Sequence, residues 1–274
     1  MKRRLLMVVV VAALIATGCG GGSGSGSVGQ GADLPLVELD GTDAMLIAAV
    51  DRTSTATSYR FAMLMSFSAP EFGMEEMRFE VDGAIDSRTN EATMTMDMSS
   101  LLEGMSDQEL DLFGDLFGDG KIDIVVAGDT AYMRFPALTQ MMGSSADWVA
   151  VPSEGSSDAI SSMGLAFEEP GTLLDGLRSV ADVEQVGTDT VGGVDTTMFA
   201  VTLDAAELDP SGFMTGDVPI FVWIDDHGQV RRFEMQFDSM GMSGGVVMEL
   251  SDFGVDVDVK VPNEFMSLDP SMFG

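Results

Sequence analysis

The chain has 274 residues, of which 45 are acidic and 13 basic, and its formal net charge is −32. Because 45% of the residues are apolar, the acidity is typical of a folded protein with a charged surface rather than of a disordered chain. The charge disfavours nucleic acid as a partner, since such binding depends on basic groups that neutralise phosphates. A single Cys and a single His argue against a disulfide framework, a Cys-rich or His-based metal site and a proton relay. We therefore expect no metal, no cofactor and no catalytic residues.

The N-terminus has the pattern of a secretory signal. Basic residues at 2–4 precede the apolar run Leu5–Ala16, whose 12 residues would span about 18 Å as a helix, against about 30 Å of hydrocarbon. The run is therefore too short for a transmembrane helix and suits a signal core. It ends in Ala16-Thr17-Gly18-Cys19, which resembles the bacterial lipobox; the alternative is an ordinary signal with a chance cysteine. The resemblance implies cleavage before Cys19 and lipidation of its thiol by acyl chains such as palmitate.

The sequence predicts three parts. Residues 1–18 are the signal peptide, residues 19–32 are the lipidated Cys and a Gly/Ser tether, and residues 33–274 are one folded domain. The tether is expected to be a flexible coil with a reach of about 20 Å. Removing the signal removes three of the 13 basic residues and none of the 45 acidic ones, so the mature net charge is −35. Two or three acyl chains anchor a protein stably, so we expect it at the cell membrane, on the extracytoplasmic side.

Three segments of the folded region have the spacing of amphipathic helices. The first is Asp40–Thr57, with Thr42 or Asp43 as its expected N-cap. The second, Ser106–Phe117, opens with the spacing of a capping box, and the third is Gly171–Ala181. Each has an apolar stripe that must be buried, so we expect these helices to pack on a sheet.

Alternation of apolar and polar residues with a period of two dominates the rest of the chain and predicts β-strands. Turn signals separate the runs at Ala127–Thr130, Val191–Val194 and Asp225–Gly228. Such a pattern predicts an antiparallel sheet with one solvated face, and about ten to twelve strands favour a curved sheet. The expected fold class is α+β, a large curved antiparallel sheet (half-barrel) with a few helices packed on its concave face. The alternating runs are Tyr59–Phe67, Met77–Ile85, Ala92–Met98, Lys121–Val126, Thr197–Leu203, Arg231–Phe237 and Val255–Val261, the last being the strictest.

These features together resemble the LppX/LprG family of actinobacterial lipoproteins, which is structurally akin to the LolA/LolB lipoprotein carriers. The resemblance implies a U-shaped half-barrel around an apolar cavity and the carriage of lipids or lipid-anchored molecules within the cell envelope. We expect a monomer, with an envelope transporter as a further candidate partner. No single motif is diagnostic, and the features are spread over most of residues 40–265. They are Cys19, Ala44–Val50, Ile124–Arg134, Asp147–Val149, Val191–Thr196, Val218–Asp225, His227–Arg232 and Lys260–Pro262, the last resembling the usual final strand.

The 23 Met residues are the best candidates for a ligand-binding wall. Met is flexible and polarizable, so a wall of Met and Phe accommodates varied acyl chains. An ordinary Met-rich core is an equally good interpretation. Thioether clusters also bind Cu(I), but here the close Met spacing follows strand alternation. The candidate cavity residues are Phe61, Met63, Met65, Phe67, Met77, Phe79, Met94, Met96, Phe199, Phe233, Met235 and Phe237.

The leading hypothesis is a non-enzymatic, membrane-anchored lipoprotein that binds lipid or acylated molecules in an apolar cavity. The alternative is a structural or protein-interaction lipoprotein with a filled core and an acidic surface. An enzyme is a weak third hypothesis, since the sequence has no Gly-x-Ser-x-Gly elbow and no phosphate-binding loop. His227, the single histidine, is expected to be a turn residue. Most Asp and Glu residues are expected on the solvated face of the sheet.

Overall fold

The computed structural model describes residues 41–70, 74–100, 120–152, 177, 183–204, 216–239 and 242–268. The predicted signal peptide and tether lie outside the described residues, as does the predicted helix Ser106–Phe117. Of the predicted helix Gly171–Ala181, only Leu177 is described, and it is buried in the core. The predicted division of the chain at residues 18 and 32 therefore stays a prediction.

The described residues form two helices and twelve strands. Helix α1 is Thr42–Ser54 and helix α2 is Pro136–Met141. No helix among the described residues is long and apolar enough to cross a membrane. The strands are β1 (Ser58–Ala69), β2 (Met74–Asp86), β3 (Glu91–Asp97), β4 (Lys121–Ala127), β5 (Thr130–Arg134), β6 (Trp148–Pro152), β7 (Val183–Val191), β8 (Val194–Asp204), β9 (Asp217–Asp225), β10 (Val230–Ser239), β11 (Met242–Ser251) and β12 (Met266–Ser267).

All twelve strands form one open sheet in the order β12-β6-β5-β4-β3-β2-β1-β11-β10-β9-β8-β7. Neighbouring strands are antiparallel except β12, which pairs in parallel with β6. Five of the seven predicted strands lie within observed strands, and a sixth, Ala92–Met98, extends one residue beyond β3. The three predicted turns join β4 to β5, β7 to β8 and β9 to β10. The predicted α+β fold, a large antiparallel sheet of half-barrel type with helices packed on it, is confirmed.

The two faces of the sheet differ in composition because the strands keep their alternation in register. On β1, Phe61 and Met63 belong to the core cluster that includes Leu46 of α1. Arg60 and Ala62, which alternate with them, are exposed on the other side. We call the α1 side the concave face and the opposite side the outward face.

Hydrogen bonds join both ends of helix α1 to the half of the sheet that contains β7 and β10. At its start, the Thr42 hydroxyl donates to the Val183 carbonyl at 2.6 Å, and the Val183 N–H donates to the Asp43 carboxylate at 3.2 Å. At its end, the Val230 N–H donates to the Thr53 hydroxyl at 2.8 Å. The predicted N-cap is therefore wrong: both candidate side chains bind β7, and Gly41, with φ 111°, is the N-cap.

The predicted strand Val255–Val261 is also wrong. These residues are described but join no strand ladder, and the same holds for Lys260–Pro262, which resembled a final strand. They belong to a strap, residues 252–265, that runs from the end of β11 to β12. The alternation in the sequence records one-sided burial of this segment without the hydrogen bonds of a sheet. The half-buried residues are Val255, Val257 and Val259.

The strap covers a second apolar cluster, which lies on the outward face. Val125, Tyr132 and Ala150 form this cluster on β4, β5 and β6, and Val259 packs against it. The Phe265 ring meets the Tyr132 ring edge to face, with centroids 5.2 Å apart. These three strands are therefore buried on both sides, whereas most of the sheet has one solvated face.

A buried carboxylate holds the β9–β10 turn. The Asp225 side chain accepts hydrogen bonds from the backbone N–H of His227 and of Gln229, each at 2.9 Å, and from Arg231 Nε at 2.6 Å. Burial raises the pKa of this carboxyl, but these donors outweigh burial and hold the pKa below its usual value of 3.8. The ionised carboxylate therefore stabilises the fold above pH 3.8, and this contribution is lost as the pH falls through the folded-state pKa. His227 is a turn residue, as predicted.

We expect Asp225→Ala to lower the free energy of unfolding at pH 7 by about 3 kcal/mol, because Arg231 and two backbone N–H groups lose their acceptor. Urea unfolding measures this change. Asp226→Ala removes the neighbouring exposed carboxylate and should stay within about 0.5 kcal/mol of the unsubstituted protein. The effect of Asp225→Ala should shrink as the pH falls below 3.8. An effect that stays constant from pH 7 to pH 3 would contradict this assignment.

Candidate functional site

One row of side chains fills the concave face across eight strands. The strand pairs place these side chains next to one another, one from each strand between β4 and β8 in the order of the sheet. None is more than 5% exposed, and Leu46 and Val50 of α1 pack in the same cluster. We call this the deep row; it is a close-packed core. Its members are Ile122, Met96, Val81, Met63, Met248, Phe233, Val222 and Phe199.

Towards the tips of the β1–β2 and β10–β11 hairpins, the same face is only half-buried. The register continues from the deep row through Met65, paired with Phe79 and Val246, to Phe67, paired with Met77. Apolar side chains thus extend beyond the core on four neighbouring strands. We call this surface the half-buried wall. Its members are Met65, Phe67, Met77, Phe79, Phe237 and Val246.

The described helices leave this wall uncovered on one side of the sheet. Helix α1 contacts β7 and β10 and is hydrogen-bonded at Val183 and Val230. Helix α2 contacts β6, near the opposite edge. The wall lies between them on β2, β1, β11 and β10. The wall itself is half-buried in the part of the chain that the structure describes.

Two glycines let aromatic rings lie flat on this face. A Cβ atom on Gly244 would stand 2.5 Å from Cζ of Phe237 and 2.7 Å from the Ser66 carbonyl oxygen. A Cβ atom on Gly83 would stand 2.7 Å from two ring carbons of Phe61. Each ring therefore occupies the place of a side chain on the neighbouring strand, and glycine is required opposite it. The Phe237 ring therefore lies flat over Gly244 in the wall. The Phe67 and Phe79 rings of the same wall are stacked, with centroids 5.4 Å apart.

All twelve predicted cavity residues lie at strand positions that face the concave side. They divide into a buried set and a half-buried set. Their contact with a ligand stays a prediction. The predicted set did not include Val246, which lies in a glycine-rich strand. The alternation of Val246, Met248 and Leu250 was a signal that could have identified it. Phe61, Met63, Met96, Phe199, Phe233 and Met235 are buried in the core. Met65, Phe67, Met77, Phe79, Met94 and Phe237 are half-buried.

Charged side chains of the same strands lie on the outward face. Arg232 pairs with Glu234 at 2.9 Å and with Glu249 at 3.6 Å, and its guanidinium lies 4.9 Å from the centroid of a Trp223 ring. Hydrogen bonds from Ser99, together with Lys121 at 3.0 Å, lower the pKa of Asp97 to about 2. Among the described residues, no group of three His, Cys, Asp or Glu side chains could hold a metal ion. The concave wall is therefore apolar, and the charge of these strands is turned away from it.

The chain is similar to known lipoproteins in sequence and in fold. The family model described as LppX_LprAFG lipoprotein matches residues 117–259. The crystal structure of LprF from Mycobacterium bovis has a TM-score of 0.51 and 19% identity, covering 80% of this chain and 96% of that one. LppX from Mycobacterium tuberculosis has a TM-score of 0.49 and 17% identity, covering 80% and 97%. No curated protein matches the sequence. At this identity, the likeness to LprF bears on the fold alone and supports the open antiparallel sheet.

We expect Gly244→Ala to destabilise the protein by about 1–3 kcal/mol, because the new methyl group would displace the Phe237 ring and meet the Ser66 carbonyl. Gly187→Ala is the matched control, since a Cβ atom at Gly187 has no neighbour within 4 Å. That change should be neutral or should stabilise by up to about 1 kcal/mol through the unfolded chain. Thermal unfolding of the two variants measures the difference. Equal melting temperatures would show that Phe237 does not need the glycine.

Proposed function

The chain belongs to the LppX_LprAFG lipoprotein family, and from that membership we propose that it binds lipid or acylated molecules and carries them within the cell envelope. The membership confirms the resemblance found in the sequence. In this proposal the protein is anchored to the membrane, faces the extracytoplasmic side and performs no catalysis. A lipid or lipid-anchored molecule is its ligand, and an envelope transporter is a candidate partner for the exchange.

The observation that carries the proposal is the half-buried wall. Its six apolar side chains remain partly accessible to water while the neighbouring deep row is fully packed. An acyl chain lying against the wall would gain about 0.8 kcal/mol per buried methylene. The thioether chains of Met65 and Met77 can adjust to acyl chains of different shape. We therefore place the ligand on the wall, with the deep row as the rigid support beneath it.

The anchor and the tether are the second part of the proposal. Lipidated Cys19 would hold the mature protein at the membrane, and residues 19–32 would give the folded domain, residues 33–274, a reach of about 20 Å. The mature net charge of −35 would repel anionic headgroups from the outward face. We infer that a monomer approaches the bilayer with its apolar wall rather than with its charged face.

The deep row favours a second candidate function. Its eight side chains fill the centre of the concave face, so the protein is also suited to be a structural or protein-interaction lipoprotein with a filled core and an acidic surface. The two candidates differ in one property, the uptake of an acyl chain by the wall.

We expect Met65→Gln to weaken the binding of a fluorescent fatty acid by roughly 5- to 100-fold, since an amide against an acyl chain loses about 1–3 kcal/mol. Met198→Gln makes the same chemical change on the outward face, where Met198 is half-buried opposite Trp223, and should leave the affinity unchanged. Titrations use the purified chain carrying Cys19→Ser, extracted to remove bound lipid. Native mass spectrometry before extraction should detect a co-purifying lipid. No uptake and no co-purifying lipid would favour the filled-core candidate.

We expect Cys19→Ser to release the protein from the membrane, because a single thiol carries the acyl chains that anchor it. The measurement is the distribution of the protein between the membrane and soluble fractions of the producing cell. Ser23→Ala, in the tether, is the control and should remain in the membrane fraction. Membrane retention of the Cys19→Ser protein would contradict the proposed anchor. The ligand-binding wall is tested separately, by the fatty-acid titration.

A further inference from the structure

The outward face has a groove behind the half-buried wall. Its volume is about 650 Å³, and its side chains come from β1, β11, β10 and β9. Leu64 and Ser66 on β1 and Val247 on β11 have the parity of the outward face, opposite to that of Met65 and Val246. These side chains lie on the opposite side of the strands from the wall, and the groove also borders Phe67 and Phe237 of the wall near the hairpin tips.

Glycine forms the floor of the groove. Gly244 and Gly245 are consecutive on β11, so the strand has no side chain on either face at this point. Gly245 lies between Ser66 on β1 and Gln236 on β10, to which it is paired. Gly245 and Ser66 leave room for another chain to approach the backbone of β11 and β1 closely, and the Gln236 side chain borders this space on β10.

The groove has an apolar side and acidic ends. Leu64, which is 36% exposed, and Pro219 supply apolar surface. Asp217 and Asp238 are exposed at one end, and within the described residues neither carboxylate has a side-chain hydrogen bond or an ion pair. None of the residues that line the groove is Lys, Arg or His. An occupant must therefore combine apolar groups with positive charge.

The length of the groove favours an extended occupant over a single ion. Glu234 and Asp238 are four residues apart on β10, which corresponds to about 13 Å along the strand. An extended chain repeats its side chains on one face about every 6.8 Å, so about three of them span this length. Glu234 already pairs with Arg232, which leaves the free charge at the Asp217–Asp238 end.

We propose that this outward groove, formed by Leu64, Ser66, Gly245, Pro219, Asp217 and Asp238, docks an extended basic segment of a partner protein. Apolar residues of the segment lie over the glycine floor, and its cationic residues meet the two unpaired carboxylates. Phe67 and Phe237 of the wall also border the groove, but docking depends on Asp217 and Asp238 rather than on lipid binding at the wall. A partner held there would stand directly behind the half-buried wall.

The test uses a labelled peptide, Val-Ser-Val-Ser-Lys-Ser-Lys, which when extended presents its Val and Lys side chains on one face, and the full chain carrying Cys19→Ser. Asp217→Asn with Asp238→Asn should weaken binding by roughly fivefold at 50 mM salt. The control pair Asp129→Asn with Glu184→Gln removes the same net charge from exposed positions outside the groove and should leave the affinity unchanged. Ser66→Lys, which places a cation in the groove, should weaken binding at least as much as the double Asn variant.

Three results would overturn the proposal. The first is the absence of peptide binding. The second is an equal loss of affinity in the groove variant and in the control pair, which would indicate attraction by the net charge alone. The third is calcium binding that depends on Asp217 and Asp238 without peptide binding. Fatty-acid titration of the groove variants separates this proposal from lipid carriage. Intact fatty-acid binding with lost peptide binding supports a distinct docking surface, and the loss of both would contradict a docking surface separate from the wall.

Discussion

The need to bury one apolar face of an open sheet governs this fold. Twelve strands span about 50 Å across the sheet, whereas a 13-residue helix such as α1 is about 20 Å long. Fastened between Val183 and Val230, α1 covers the strands from β7 to β10. The deep row can be packed under such cover, but the wall around Met65 and Phe67 lies beyond it. The half-buried apolar surface is thus a consequence of the width of the sheet, which exceeds the length of the described helices.

The strands were predictable because most of them are buried on one side. On β1 the change from Phe61 to Ala62 to Met63 follows the change from core to solvent, so the period of two was visible without knowledge of the fold. The strap shows the limit of that reasoning. Val255, Val257 and Val259 alternate for the same physical reason, one-sided burial, but the backbone of the strap is not paired in a ladder. Alternation reports the burial of side chains, and it does not report the hydrogen bonds that define a strand.

Other features required long-range contacts that no local pattern contains. Thr42 and Asp43 are good N-cap residues, yet both bind β7, which is about 140 residues away in the chain. The continuous apolar run Ile124-Val125-Val126 did contain a signal, because a strand without alternation is buried on both sides. The missing partner was the strap, which supplies Val259 to that second face. The candidate wall was predicted as a set of Met and Phe residues, but their division into buried and half-buried members depends on where α1 lies.

The distribution of charge follows from the same constraint. At least seven of the nine Lys and Arg side chains in the described residues lie within 4.0 Å of a carboxylate, and the acidic residues of the chain far outnumber its basic ones. Because the concave face must be apolar, the unpaired carboxylates are confined to the outward face and the turns. At Gly244 and Gly245 the two faces come closest, since one glycine lies beneath the Phe237 ring and the next forms the floor of the acidic groove. The backbone of β11 separates them there. An occupant on either side would therefore contact the same strand, and movement of that strand is the shortest physical connection between the apolar wall and the charged surface.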